Sequence, residues 1–132
     1  MKMVIGGAFQ GKTKAAGKLF GLNISDFADG ETCPLEEIYE CRALFHFHLY
    51  IRRLLETEKK DIPENFVEKL FSKNPDIVLV TTELGYGIVP MDPFDRFYRE
   101  KVGRICCHAA QKASEVYRVA AGIPVCIKGE QI

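Results

Sequence analysis

Three observations predict a three-layer α/β fold with a mostly parallel sheet and a C-terminal β-hairpin. Short apolar runs alternate with stretches of helical periodicity, the pattern of strand–helix–strand units. A glycine-rich turn, Gly6 to Thr13, separates the first apolar run from the first helix. The chain closes on two apolar runs joined at Gly122. Its 132 residues fit one domain, residues 1–132.

The elements follow in order. Lys2 to Ile5 reads as a buried strand. Lys12 to Phe20 holds good helix formers, with Ala15, Ala16, Leu19 and Phe20 on one side and Gly21 as the stop. Asn23 to Ala28 reads as a second strand, and Glu31 to Cys41 as an irregular acidic stretch with one helical turn at Leu35–Tyr39. Ala43 to Phe47 reads as a third strand. Phe47, Ile51, Leu54 and Leu55 then share one helical face. Pro63 starts another helix with Phe66, Val67, Leu70 and Phe71 turned inward. Ile77 to Val80 is a β-branched run suited to a buried parallel strand. Gly85 to Gly87 is a loop. A long helix runs from about Pro93 to about Ser114, with Phe94, Phe97, Tyr98, Val102, Ile105 and Ala109 at helical spacing. Val116–Ala120 and Pro124–Lys128 form the terminal hairpin.

Lys plus Arg and Asp plus Glu number 18 each, so the formal net charge is zero. A general nucleic-acid binder would carry a clustered basic excess, and so would a protein that docks on anionic lipid. No apolar run approaches the ~20 residues of a membrane span. The five cysteines show no Cys-x-x-Cys spacing. These features fit a soluble protein of the reducing cytoplasm.

Gly6-Gly7-Ala8-Phe9-Gln10-Gly11-Lys12-Thr13 satisfies G-x-x-x-x-G-K-[ST] in full. Composition alone would produce roughly 0.005 such matches in a chain of this length. The motif also follows a strand and opens a helix, as a phosphate-binding loop requires. Glycines let successive N–H groups turn toward one phosphate, and the helix adds its positive end. Gly6 to Thr13 are therefore the expected nucleotide-binding residues. Lys12 would reach the β- and γ-phosphates and Thr13 would ligate Mg²⁺. The nucleotide is ATP or GTP, because the loop reads only phosphates. A metal-orienting carboxylate belongs at the end of a buried strand, and Glu83 follows Ile77–Val80 there; a loop salt bridge is the plainer reading. Asp26 and Asp29, after the second strand, are candidates to take an acceptor hydroxyl's proton or bind Mg²⁺, with turn chemistry as the alternative. His46 and His48, alternating on a strand, would share one face and touch phosphate or supply a nucleophile, with a partly exposed helix cap as the alternative.

Taken with the chain's second half, the motif resembles those of the adenosylcobinamide kinase/adenosylcobinamide-phosphate guanylyltransferase enzymes of cobalamin biosynthesis. The resemblance rests on Gly6-Gly7-Ala8…Gly11-Lys12-Thr13, on Val78-Leu79-Val80-Thr81-Thr82-Glu83-Leu84-Gly85-Tyr86-Gly87-Ile88-Val89-Pro90, and on Phe97-Tyr98-Arg99…Gly103-Arg104 with the ending Ala113…Lys128. It implies a nucleotide-binding fold like that of the recombination and helicase ATPases, and a homo-oligomer, specifically a trimer. It implies nucleotide contacts from Arg99 and Arg104, whose plainer reading is a solvated helix face. It also implies two reactions: phosphorylation of the aminopropanol hydroxyl of adenosylcobinamide by ATP or GTP, and transfer of GMP to that phosphate through a guanylylated histidine. The family carries that histidine on a helix after the second strand, whereas Asp29 to Arg42 contains none. Cys106-Cys107 stand where the family has Asn-Gln, and Ala121 where it has Ser. Two functions follow as expectations: a shortened cobinamide kinase-like phosphotransferase, or a nucleotide-binding paralogue with a regulatory or assembly role and no transfer activity.

Overall fold

The computed structural model describes residues 1–7, 11–58, 61–84 and 92–129. The chain forms β1 (Lys2–Gly6), α1 (Lys12–Phe20), β2 (Phe27–Asp29), β3 (Ala43–Phe45), α2 (Phe47–Glu58), α3 (Phe66–Lys73), β4 (Val78–Thr82), α4 (Pro93–Lys112), β5 (Glu115–Ala120) and β6 (Ile123–Lys128). One six-stranded sheet results, in the order β2-β3-β4-β1-β5-β6. All neighbours are parallel except β5 and β6, which form the terminal antiparallel hairpin. The three-layer expectation holds. Alternation along each strand splits the core in two. Val4, Val78, Val80 and Val119 face Ala15 and Ala16 of α1, whose small side chains let that helix lie close. Met3, Leu44, Leu79 and Val116 face a larger cluster from α2, α3 and α4 that includes Phe47, Ile51, Leu70 and Val102.

Four expectations need correction. The second strand is shorter and later than Asn23 to Ala28: Ile24–Asp26 is a 3₁₀ turn and β2 starts at Phe27. Asp26 accepts a hydrogen bond from the Asn23 amide at 2.8 Å, a local closure that competes with extended backbone. The third strand ends at Phe45 rather than Phe47, because His46 turns into the left-handed region (φ 57°) and α2 begins at once. Phe71 is 38% exposed. Phe66, Val67 and Leu70 already fill the narrow stripe that an eight-residue helix can bury. Phe97 is 41% exposed. At ~100° per residue it stands about 110° from the centre of the buried stripe of Tyr98, Val102, Ile105 and Ala109. Among the described residues no helix is long and apolar enough to cross a membrane.

Candidate active site

A parallel sheet delivers every strand's carboxyl end to one edge, where ligands of open α/β sheets bind. Here that edge receives Gly6-Gly7 from β1, Asp29 from β2, His46 just past β3 and Glu83 just past β4. Register ties them together: Gly6 is level with Thr82 and Val119, and Asp29 with Phe45. Gly6 passes so close to β5 that a Cβ on it would lie 2.6 Å from the Val119 carbonyl oxygen. Gly11 caps α1 in the left-handed conformation (φ 78°), which glycine adopts without steric cost. Ala8, Phe9 and Gln10 lie outside the described residues, as does the Gly85–Gly87 loop.

Lys12 and Thr13 open α1 and are half-buried. The Lys12 ammonium folds back and donates to the Gly7 carbonyl at 2.8 Å, arching over the loop. Burial holds it below the ordinary lysine value, and the nearby Glu83 carboxylate opposes that shift. Glu83 is anchored by its own amide, which donates to the Gly6 carbonyl at 2.8 Å. Its carboxylate is mostly buried and pairs with Arg118, through Nε at 2.9 Å and through the terminal guanidinium nitrogen at 2.8 Å. The salt bridge foreseen as the plainer reading is thus present, on a carboxylate beside the phosphate loop.

A cleft of about 410 Å³ opens at this edge, lined by Gly11, Lys12, Thr13, His46, His48 and Thr82 among others. The two histidines do not alternate on a strand as expected. One occupies the turn after β3 and the other the first turn of α2, yet their rings meet edge to face at 5.9 Å. His46 Nδ1 lies 2.9 Å from Asp29 Oδ1 and 3.9 Å from a Glu31 carboxylate oxygen. His48 Nδ1 accepts from the Thr82 amide at 3.3 Å. Burial first, then the charges of His46 and Lys12, lower the His48 pKa to about 4.

Other expected residues go elsewhere. Because β2 starts at Phe27, Asp26 sits at the amino end of that strand, away from the loop. It pairs with Arg42 at 3.1 Å, and its carboxyl is held below the ordinary value chiefly by the Asn23 amide. Those contacts suit a structural role and not a base. Arg104 pairs with Glu100 at 2.6 Å and lines the groove between α3 and α4 with Glu68 and His108. Arg99 is half-buried on α4 and does not line the phosphate-loop cleft. Among the described residues, neither arginine lines the cleft that holds Lys12 and Thr13. Reading from the sequence missed Arg118, Arg53 and Glu31, whose types carry no local signal.

A strand, a glycine-rich turn over a lysine, and a helix at the carboxyl edge of a parallel sheet define a three-layer α/β protein of the phosphate-loop class. The chain belongs to the cobinamide kinase / cobinamide phosphate guanyltransferase family, whose match covers residues 38–127. That match takes in His46, His48, Glu83, Arg99 and Arg104 and leaves the phosphate loop outside it. The chain is similar to the bifunctional adenosylcobalamin biosynthesis protein CobU of Escherichia coli (strain K12), at 46% identity over 52 residues, 39% of this chain and 29% of that protein. The protein of the same name from Salmonella typhimurium gives the same figures. The bifunctional adenosylcobalamin biosynthesis protein CobP of Pseudomonas aeruginosa is 34% identical over 56 residues, 42% of this chain and 32% of that protein. The matched stretches therefore span less than a third of these relatives.

Proposed function

We propose that the chain binds a nucleoside triphosphate, ATP or GTP, with Mg²⁺ and transfers its γ-phosphoryl group to the hydroxyl of a cobinamide-type corrinoid. The observation that carries this reading is the convergence of Gly11, Lys12 and Thr13 on a cleft at the carboxyl edge, with the Lys12 ammonium folded onto the Gly7 carbonyl. Membership of a family described as cobinamide kinases and guanyltransferases supplies the acceptor class. The loop amides and the α1 N-terminus would hold the phosphates, and Lys12 would release the Gly7 carbonyl to reach the β/γ oxygens. Thr13 and Glu83 present a hydroxyl and a carboxylate, the hard oxygen donors that Mg²⁺ takes, so these residues fit the cation. When bound, Mg²⁺ would offset charge on the β- and γ-phosphate oxygens. Arg118 holds the Glu83 carboxylate in place beside the loop. Positioning and charge supply most of the rate in such transfers.

The test is incubation of pure protein with adenosylcobinamide and either Mg·ATP or Mg·GTP, followed by mass spectrometry of corrinoid and intact protein. Phosphorylated corrinoid is the expected result, and the faster nucleotide fixes the donor. Nucleotide binding without corrinoid phosphorylation would overturn the kinase reading in favour of a binding paralogue with a regulatory or assembly role.

A further inference from the structure

The cleft has a phosphate side, made by the loop and α1, and an opposite wall made by His46, His48 and Leu49. An acceptor hydroxyl must lose a proton as it attacks phosphorus, so the opposite wall is where a base belongs. The two rings there are wired differently. The Asp29 carboxylate can only accept, so at 2.9 Å His46 Nδ1 is the donor and the lone pair resides on Nε2. The Thr82 amide can only donate, so His48 Nδ1 is the acceptor and its Nε2 carries the proton. One ring is thus oriented to take a proton and the other to donate a hydrogen bond.

Three further features hold the first ring. His46 sits at φ 57°, in a conformation that non-glycine residues occupy at a cost and that here aims the turn after β3. The Gly30 amide donates to the Phe45 carbonyl at 2.8 Å, locking the end of β2 against the end of β3. Arg53 of α2 clamps the segment that follows Asp29, donating to the carbonyls of Gly30 at 2.9 Å and Cys33 at 2.8 Å.

We infer that His46, oriented by Asp29, is the general base that takes the acceptor hydroxyl's proton, with Asp29 and Arg53 as positioning residues. This rests on the phosphotransferase reading above and adds its acceptor side. The acceptor O–H bond breaks and its proton goes to His46 Nε2. The oxygen's electron pair forms the new bond to the γ-phosphorus. The bond from that phosphorus to the β–γ bridging oxygen breaks, and the nucleoside diphosphate leaves with those electrons. Asp29 stabilises the imidazolium until the proton passes to solvent. Among the described residues the charged or titratable groups around the ring are Asp29 at the end of β2, Glu31 after it, His48 on α2, and Lys12 and Lys14 on α1.

The experiment compares the full chain with His46→Asn, His46→Gly and Asp29→Asn. Asparagine tolerates the left-handed backbone and retains a donor for Asp29, but it offers no base. Expected for His46→Asn is a fall in transfer rate of about 100-fold or more, with nucleotide affinity within about threefold and loss of the acidic limb of the rate profile. His46→Gly keeps the backbone and leaves room for a free base, so added imidazole should restore part of the lost rate. Asp29→Asn should fall between wild type and His46→Asn. The base assignment is overturned if His46→Asn transfers within threefold of wild type, or if imidazole rescues nothing. It is also overturned if intact mass shows a nucleotide covalently held by His46, or if the purified protein carries a stoichiometric transition metal that His46→Asn loses. A wild-type protein that binds nucleotide but phosphorylates no corrinoid overturns the phosphotransferase reading and the base with it. A working wild type with an equally working His46→Asn removes the base alone.

Discussion

Which ring nitrogen carries the proton divides the work of His46 and His48, and the division has a thermodynamic consequence. In the folded chain the His48 pKa is lowered to about 4, against an unperturbed value near 6.5. On acidification the unfolded state therefore takes up a proton first. The group's contribution is fully present above pH 6.5 and is lost as the pH falls from 6.5 toward about 4. Partial exposure of the ring reduces the effect, to on the order of 1 kcal/mol. Thermal melts at pH 7 and pH 5 check this: the wild-type midpoint should fall by roughly 3–5 °C more than that of His48→Asn. Asparagine can still accept from the Thr82 amide but does not titrate, so equal slopes would remove the assignment. Lys12 makes the complementary case. Its stem is half-buried, while its ammonium donates to the Gly7 carbonyl. Lys12→Met should leave the melting temperature within a degree or two. It should weaken nucleotide binding at least tenfold, and a fluorescent nucleotide titration reads that directly.

At the scale of elements, α2 braces the acceptor wall through Arg53. Its two hydrogen bonds to the 30–33 segment are partly buried and charge-assisted. Arg53→Met retains the stem, removes both donors, and leaves two carbonyls short of partners. The expected cost is about 2 kcal/mol. That corresponds to a fall of about 6–10 °C in melting temperature. A drop in transfer should accompany it, with little change in nucleotide affinity, since the loop and α1 are untouched. A variant that melts normally would show the clamp to be ornamental. None of this bracing was legible in the sequence, for a physical reason. The phosphate loop, the terminal hairpin and the alternation of helices with strands rest on local periodicity and turn chemistry, so they could be read. Asp29 and His46 lie 17 residues apart and meet only because β2 pairs with β3. Asp26 and Asp29 looked equivalent until the 3₁₀ turn at Ile24–Asp26 placed one at each end of β2. Glu83 was readable from its place after an apolar run, but its partner Arg118 comes from β5, across the central strand.

Over the whole molecule, the parallel sheet both gathers the site and leaves two border strands, β2 and β6. Among the described residues β6 ends the sheet and pairs with β5 alone, so one row of its backbone donors and acceptors has no strand partner there. Along it Ile123 and Val125 alternate onto one face, at 66% and 56% exposure, and Ile127, at the irregularity in register, is 53% exposed. The helical phenylalanines, by contrast, are mostly packed, with Phe71 and Phe97 the exposed ones. A row of branched aliphatic residues on an open edge strand favours association, and protein edges that stay free are usually blunted by charge, proline or a bulge. Pro124 and the shift in register at Val116/Tyr117 blunt this one only in part. With a formal net charge of zero, no long-range repulsion keeps two copies apart. The expected partner is a second copy of the chain, in keeping with the homo-oligomer that the family resemblance implies. Light scattering after size exclusion, at ~10 µM and moderate salt, should give a multiple of the 14.9 kDa chain mass. Val125→Lys, which puts a charge at the centre of the row, should return the mass to that of one chain while nucleotide binding persists, because Val125 lies along β6 beyond the Gly122 turn, the part of the hairpin that neighbours Gly11 of the phosphate loop. A wild-type mass of 14.9 kDa under the same conditions would rule the association out, and an oligomer unchanged by Val125→Lys would move the contact away from β6.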